Sequence, residues 1–322
     1  FFGGDAQPDI AATIRTSPAQ PVYDTRGAWN PLVNYPRSGP FNNAVARRVM
    51  AKDNKADTWD ATGNVYAALD FLNSFTLRSS FGGSLTNYYK YTFTPASYDN
   101  VTQLNSFSET SGYLSTYTWT NSLNYSRNIA AHSIKIMAAS EIVNNSNREI
   151  GGSVKNLAFT DPNYWLLNNG DPLTQRNYSI AGRSKLFSLF GRLDYGFKDK
   201  YFLSVTVRRD GSSVFGPQNR YGIFPAIGAA WRITEEKFLK NSTWLNDLKL
   251  RASWGKTGFN GNTDPFNQYT LYGGSNGDAY YDINGISSGS IQRGFRRVRI
   301  GNARTGWQED VITNMGMDAI LW

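Results

Sequence analysis

Apolar and polar residues alternate along four neighbouring segments between Gly182 and Gly258. The second segment shows the pattern clearly: its apolar members are Leu203, Val205 and Val207, and its polar members are Ser204, Thr206 and Arg208. A repeat of two residues is the side-chain period of a β-strand with two different faces. Each apolar face continues for about 9–11 residues, the length that a tilted strand needs to cross a bilayer. The pattern therefore predicts four antiparallel strands whose faces meet different solvents.

The same period predicts five further strands, at about 62–72, 75–84, 113–125, 132–143 and 307–321, which makes nine in all. Long loops are predicted at 1–59, 87–110, 144–181 and 259–303. The connections near 73, 128, 199 and 240 are short, and so is the one near 216. Since bacterial barrels have short periplasmic turns and longer extracellular loops, we expect Asp199 to face the periplasm and Tyr88, Trp165 and Tyr281 to lie outside the cell.

Several long motifs follow one another in the second half of the chain, namely Arg208-Arg209-Asp210-Gly211-Ser212-Ser213, Asn219-Arg220-Tyr221-Gly222, Ala230-Trp231-Arg232-Ile233, Leu248-Lys249-Leu250-Arg251-Ala252-Ser253-Trp254-Gly255 and Thr313-Asn314-Met315-Gly316. In this order they resemble the barrel signature of SusC-like (RagA-like) TonB-dependent transporters of Bacteroidetes-type bacteria. The resemblance covers residues 182–322 closely and 60–145 loosely. Phe259, Ala303 and Gln308 depart from the family pattern, but they fall at loop ends and leave the strand phase intact.

The resemblance implies an all-β fold, an antiparallel transmembrane β-barrel of the outer membrane with long extracellular loops and roughly 22 strands around a plug. In that reading, residues 1–59 form an extracellular loop region, and 60–322 supply about nine consecutive strands of a larger barrel. Because Phe1-Phe2-Gly3-Gly4 lacks an initiator Met and Leu321-Trp322 interrupts an apolar alternation, we expect a fragment without the plug domain.

The resemblance also implies a function and its partners. The expected function is TonB-dependent import of glycan or peptide fragments, with no enzyme chemistry and no cofactor. The expected partners are a SusD-like surface lipoprotein, TonB through segments outside this chain, and outer-membrane lipid with lipopolysaccharide.

The amino-acid composition excludes several kinds of catalytic and metal-binding site. The 322 residues carry a net charge of +8, one His and no Cys, and 15% of them are aromatic. No run of about 18 apolar residues occurs, which excludes a transmembrane helix. Without Cys there is no thiolate chemistry, and a single His leaves no zinc cluster of the usual ligands. The sequence also has no phosphate-binding G-x-x-x-x-G-K-[ST] loop and no G-x-S-x-G nucleophile elbow.

Two sets of residues are candidates for function. Charged residues on the polar strand faces are predicted to point into the barrel lumen, and they include Arg192, Asp194, Arg208, Arg232 and Arg251. These charged residues are expected to line a substrate path or to contact the plug. The alternative is that they only keep the barrel wall in contact with water. Aromatic residues among Asn, Ser and Gly are predicted to contact a ligand or lid from extracellular loops, unless they only pack the loops: Tyr88, Tyr89, Tyr91, Trp165, Tyr280 and Tyr281.

Three alternatives belong to other classes of protein. A basic run of Arg293, Arg296, Arg297 and Arg299 is weak support for nucleic-acid binding, because contact with anionic lipopolysaccharide explains it equally well. A secreted β-rich carbohydrate-binding module would share the Asn, Tyr and Ser loops, and it predicts that Leu203, Val205 and Val207 lie in a protein core. A barrel enzyme predicts a nucleophile and base pair among loop or lumen residues.

Strand-end aromatics such as Tyr201 and Trp231 are predicted to form interfacial girdles.

Overall fold

The computed structural model describes residues 52–96, 104–239, 244–261, 266–273, 280–282 and 291–321, together with residues 21–23, 25, 27, 45, 49, 263 and 264. Most of the predicted loop 1–59 and parts of the predicted loop 259–303 therefore lie outside the described residues. Among the described residues, no helix is both long and apolar enough to cross a membrane.

A nine-stranded sheet dominates the described part of the chain, with each strand hydrogen-bonded to the next in sequence order. Its members are β1 (Lys55–Phe71), β2 (Phe75–Thr94), β3 (Ser106–Ile129), β4 (His132–Lys155), β5 (Arg176–Phe197), β6 (Tyr201–Ser212), β7 (Tyr221–Arg232), β8 (Leu245–Phe259) and β13 (Gln308–Leu321). Two small antiparallel pairs lie between β8 and β13: β9 (Leu271–Gly273) with β12 (Arg296–Arg299), and β10 (Tyr280–Asp282) with β11 (Ile291–Arg293). The prediction of an antiparallel all-β fold with nine strands is confirmed.

The strands β2, β3 and β4 are much longer than the sequence pattern predicted, with 20, 24 and 24 residues. The prediction that residues 87–110 and 144–181 are loops is therefore wrong in part, and Tyr88, Tyr89 and Tyr91 lie in β2. The reason is that β-branched and aromatic residues favour strands even where no apolar face marks them. Their backbone hydrogen bonds are satisfied by the neighbouring strands.

Strand register separates the sheet from β5 to β8 and β13 into two faces. A row of paired residues on one face, called here the apolar face, is Leu193, Val205, Ile227, Trp254 and Thr313. The adjacent row, on the polar face, is Asp194, Ser204, Gly228, Ser253 and Asn314. On the apolar face Leu203 and Val207 are 36% and 47% exposed, not enclosed in the protein core that a secreted module requires.

Tight turns join β5 to β6 and β1 to β2. In the turn between β5 and β6, Lys198 and Asp199 both have positive φ angles of 52° and 54°, and Lys200 N donates to Phe197 O at 3.0 Å. The turn between β1 and β2 repeats this geometry with Leu72 and Asn73, both at 52°. Two consecutive left-handed residues form a type I′ turn, whose twist matches that of the strands.

The turn between β1 and β2 carries strain that a substitution can relieve. Leu72 is 77% exposed and holds a left-handed conformation that is unfavourable for a side chain with a Cβ, whereas Asn tolerates it. Leu72→Asn is expected to stabilise the full-length protein by about 1 kcal/mol in urea unfolding from lipid vesicles. Leu72→Ala keeps the same backbone penalty and is expected to give no gain, so equal stabilisation by both variants would contradict this explanation.

The described residues fall into two compact units. The first contains those up to Thr62 together with Ser84–Ser115 and Ser146–Gly182. The second contains Gly63–Gly83, Thr116–Asn145 and the chain from Arg183 onward. The candidate lumen residues all lie in the second unit, whereas the candidate aromatic residues are divided between the two.

Candidate functional site

A network on the polar face of the second unit is centred on Arg208. Its Nε donates to Asp210 Oδ1 at 2.7 Å, and its terminal nitrogen donates to Glu141 Oε1 at 3.2 Å and to Ser188 Oγ at 2.8 Å. Ser188 is fully buried, and Asp210 is 8% exposed. Thr120 Oγ1 donates to the other oxygen of Glu141 at 3.1 Å. One guanidinium thus ties together strands β4, β5 and β6.

The other predicted lumen residues also lie on the polar face, and each arginine has a carboxylate partner. Arg192 donates twice to Asp194, at 2.7 and 2.9 Å. The remaining two pairs, each 3.3 Å apart, are Arg232 with Asp247 and Arg251 with Asp318. Exposed pairs of this kind contribute little stability. They neutralise the arginines, however, so the polar face carries less positive charge than its arginines alone indicate.

The sequence analysis missed the acidic partners Asp210, Asp247 and Asp318. Asp318 pairs with Lys249 across the strands, and Lys249 is two residues from Arg251 on the same face. The strand pairing was therefore needed to show that Asp318 lies near Arg251. Whether the polar face lines a substrate path or grips a plug stays a prediction, and the pairing favours a wall that is balanced in charge.

In the first unit, Trp165 lies in a hydrophobic cluster. Its ring stacks on Phe93 with centroids 4.6 Å apart and an interplanar angle of 10°. Trp165 is 7% exposed, and its Nε1 donates to Thr160 O at 3.1 Å. The other buried members of the cluster are Phe107, Val154 and Leu157, and Tyr91 packs against them. Packing therefore occupies most of Trp165, which favours the loop-packing alternative for this residue.

Three short 3-10 turns shape the segment that carries Trp165. Two of them begin at Pro162 and Pro172, each preceded by an aspartate. Asp161 Oδ1 accepts from Asn163 N, and Asp171 Oδ1 accepts from Leu173 N, both at 2.9 Å. An acidic cap followed by proline is a readable start signal, so the two turns could have been predicted from the sequence.

Tyr88 and Tyr89 are adjacent in β2 and point to opposite faces, because side chains alternate along a strand. Tyr88 Oη donates to Glu149 Oε2 at 2.6 Å, and Tyr89 Oη donates to Glu109. Both positions lie beyond the roughly 9–11 residues after the turn at Asn73 that can span a bilayer. The hydrogen bond to Glu149, with burial, raises the pKa of Tyr88 to about 12, and burial, with the hydrogen bond to Glu109, raises the pKa of Tyr89 to about 12. Both phenols thus remain protonated donors at neutral pH.

The last two candidate aromatics lie in the small pair β10 and β11. Tyr280 opposes Arg293 there, and its side chain lies outside the described residues. Tyr281 is 61% exposed and opposes Gln292. Tyr281 is therefore accessible to a ligand or a lid, and its contact with either stays a prediction. In the basic run, Arg299 pairs with Asp264 at 3.1 Å.

An aromatic group at the end of β6 and β7 supports the predicted girdle. Tyr201 pairs with Trp231 in the register, and both donate to Glu236 Oε1, from Tyr201 Oη at 2.6 Å and from Trp231 Nε1 at 3.2 Å. Lys200 Nζ lies 3.3 Å from the other oxygen of Glu236. The hydrogen bond from Tyr201, supported by Trp231 and Lys200, lowers the pKa of the Glu236 carboxyl. Rings with an apolar body and a polar edge held in this way suit the boundary between lipid and water.

Within the described residues, no group of three or more His, Asp or Glu side chains is arranged to hold an ion. The structure combines strands that have one apolar and one polar face, arginines paired with carboxylates on the polar face, and tyrosines whose hydroxyls donate to carboxylates. These define the wall and rim of a transmembrane β-barrel.

Comparison with known families agrees with this class. The family described as TonB dependent receptor-like, beta-barrel, matches residues 5–303, and the chain belongs to this family of outer-membrane barrels. The resemblance found in the sequence and the expected outer-membrane location are confirmed.

Curated relatives and solved structures give the same result. The TonB-dependent receptor P26 of Formosa agariphila is 29% identical over 96% of this chain and 30% of its own length. TonB-dependent receptor SusC of Bacteroides thetaiotaomicron is 29% identical over 96% of this chain and 32% of its own length. The chain thus spans about 30% of the length of these relatives. The RagAB peptide transporter superposes on 94% of this chain and 32% of its own, with a TM-score of 0.75 and 23% identity, and shows the same fold.

Proposed function

We propose that this chain forms part of the barrel of a TonB-dependent importer of glycan or peptide fragments, working as the barrel subunit of a SusCD-like complex. The observation that carries the proposal is the two-faced sheet, whose sequence matches the receptor barrel family over residues 5–303. An exposed apolar face meets lipid, and a polar face meets water or a plug. In this proposal residues 1–59 are extracellular and 60–322 supply barrel strands.

The partners are proposed on the same basis. The relative SusC is named a TonB-dependent receptor, and the RagAB structure is described as a peptide transporter, which supports a peptide as one candidate ligand. A glycan is proposed from the resemblance found in the sequence. A surface lipoprotein of the SusD type would cover the extracellular side, and TonB would act through segments outside this chain. Lipid and lipopolysaccharide would surround the barrel, and the basic run Arg293, Arg296, Arg297 and Arg299 is proposed to contact anionic lipopolysaccharide. We propose no enzyme activity, cofactor or nucleic acid.

Growth on purified nutrients tests this function in the full-length protein. A host strain that lacks the gene is expected to lose growth on at least one oligosaccharide or peptide mixture, while growth on the corresponding monosaccharide or free amino acids is unchanged. Deletion of TonB is expected to give the same loss, and restoring the gene to reverse it. Unchanged growth on every oligosaccharide and peptide supplied would overturn the proposal.

The secreted carbohydrate-binding module is separated from the barrel by spin labels at Val205 and Thr206. In lipid vesicles, a label at Val205 is expected to collide with lipid-dissolved oxygen, because Val205 pairs with Leu193 and Ile227 on the apolar face. A label at Thr206 is expected to meet a water-soluble nickel reagent or to be shielded from both. A Val205 label shielded from both reagents would favour the module.

A further inference from the structure

Tyr178 of β5 packs against the backbone of Gly151 in β4. A Cβ built on Gly151 would lie 2.7 Å from Tyr178 Cε1, 2.7 Å from Cζ and 2.8 Å from Oη. The Cε1–Oη edge of the ring therefore occupies the space that a side chain at position 151 would need. Tyr178 remains 45% exposed in this position.

Tyr88 lies over a second glycine on the neighbouring strand. A Cβ built on Gly112 would lie 2.6 Å from Tyr88 Cζ, so only glycine leaves room for the phenol there. Both rings are also fixed at their hydroxyl ends: Tyr88 Oη donates to Glu149 Oε2, and Tyr178 Oη shares a hydrogen bond of 3.0 Å with Thr110 Oγ1. The two tyrosines are thus held in place before any ligand arrives, which lowers the entropy cost of binding.

These groups share one face of the first unit. Asn147, Glu149 and Gly151 are two residues apart along β4, so their side-chain directions coincide. Asn147 Oδ1 lies 2.5 Å from the position of a Cβ on Gly182, which places this amide next to β5. The opposite face of β4 is covered, since a Cβ on Gly152 would lie 2.8 Å from Leu167 Cδ1. In the described part of the chain, Glu149 Oε1 accepts no hydrogen bond.

We infer that Tyr178, Tyr88, Glu149 and Asn147 form a binding platform for a neutral sugar ring of a glycan; the inference rests on the proposed import function. A flat, exposed ring face packs against the apolar face of a pyranose, and carboxylate, amide and hydroxyl groups accept and donate to its hydroxyls. The carboxylate of Glu149 disfavours anionic sugars. A peptide binds through backbone edges or side-chain pockets, and here the strand backbones are paired within the sheet.

Calorimetric binding to the full-length protein tests the platform. The probes are malto-, cello-, manno- and xylo-oligosaccharides, an oligogalacturonate as the anionic glycan, and a tryptic digest of casein as the peptide. For a neutral oligosaccharide that binds, Tyr178→Ala and Gly151→Ala are each expected to raise Kd by about threefold to tenfold, because both remove the stacked ring. Tyr178→Phe keeps the ring face and is expected to stay within about twofold of the wild type.

A matched control separates the platform from general effects. Gly63→Ala adds a methyl group to a strand glycine with nothing within 4 Å of the new atom. This variant is expected to leave Kd unchanged. If Tyr178→Ala leaves neutral-glycan binding unchanged while the growth phenotype persists, the platform is wrong and the import function stands.

Two other outcomes distinguish a failure of the platform from a failure of the proposed function. Binding of casein peptides or oligogalacturonate, but of no neutral oligosaccharide, would overturn the neutral-sugar inference without affecting import. Absence of both binding and the growth phenotype would instead overturn the proposed function itself.

Discussion

Val205→Arg is expected to destabilise the full-length barrel in lipid vesicles by about 2–4 kcal/mol, the cost of an arginine that faces lipid near the midplane. Val205 lies near the middle of β6 and pairs with Leu193 and Ile227, so its side chain has only apolar neighbours across the strands. An arginine there has no aqueous space or carboxylate to reach within the same row.

The adjacent residue provides the control. Ser204 lies on the polar face, where it pairs with Asp194 and Gly228, and glycine leaves space for a longer side chain. Ser204→Arg is therefore expected to cost less than about 1 kcal/mol. Urea unfolding of both variants, followed by tryptophan fluorescence, measures the difference. Equal costs for the two neighbours would contradict the assignment of the faces.

Arg208→Met is expected to destabilise the same protein by about 2–3 kcal/mol, somewhat less than the loss expected for a fully buried ion pair because the Arg208 side chain is 33% exposed. The substitution leaves Asp210 and Glu141 without their cation and the buried Ser188 hydroxyl without a partner. Methionine keeps much of the length of the side chain, so the cost measures mainly the lost charge and hydrogen bonds.

A second arginine on the same face is the natural comparison. Arg251 and Asp318 are 61% and 51% exposed, and Arg251→Met is expected to cost less than about 1 kcal/mol. Adding Glu141→Gln to Arg208→Met is expected to recover part of the loss, because one uncompensated carboxylate is removed. A double variant less stable than Arg208→Met would show that Glu141 has a separate role.

Strands β5 to β8 and β13 could be predicted because their apolar and polar faces differ at every step, whereas the short strands β9 to β12 lie in the predicted loop 259–303. The same rule failed beyond Asn87 and Asn144, where both faces of the strands are polar or aromatic and no contrast marks the period. Tyr88 was therefore expected in a loop, although it lies in β2. Its glycine neighbour Gly112 and its acceptor Glu149 lie 24 and 61 residues away along the chain, so only strand pairing brings them together.

The candidate site was predictable in part for the same reason. The period of two predicted which face of the sheet carries Arg192, Arg208, Arg232 and Arg251. Their carboxylate partners depended on how neighbouring strands align, and the sequence of one strand does not specify that alignment. Trp165 was selected as an exposed aromatic residue in a polar loop. Its burial depends on Phe93 and Phe107 on other strands, and the local sequence carries no signal for that contact.

The carboxylate partners of the four arginines also determine what the polar face would offer to a solute in the proposed importer. Each pair acts as a short dipole, and the potential of a dipole decays faster with distance than that of a single charge. In the proposed importer, these pairs would neither attract anions nor repel cations from afar, and ionic strength would alter their effect on passage only weakly. Cargo would sense these arginines only at contact, when a group on it competes directly for Asp194, Asp247 or Asp318.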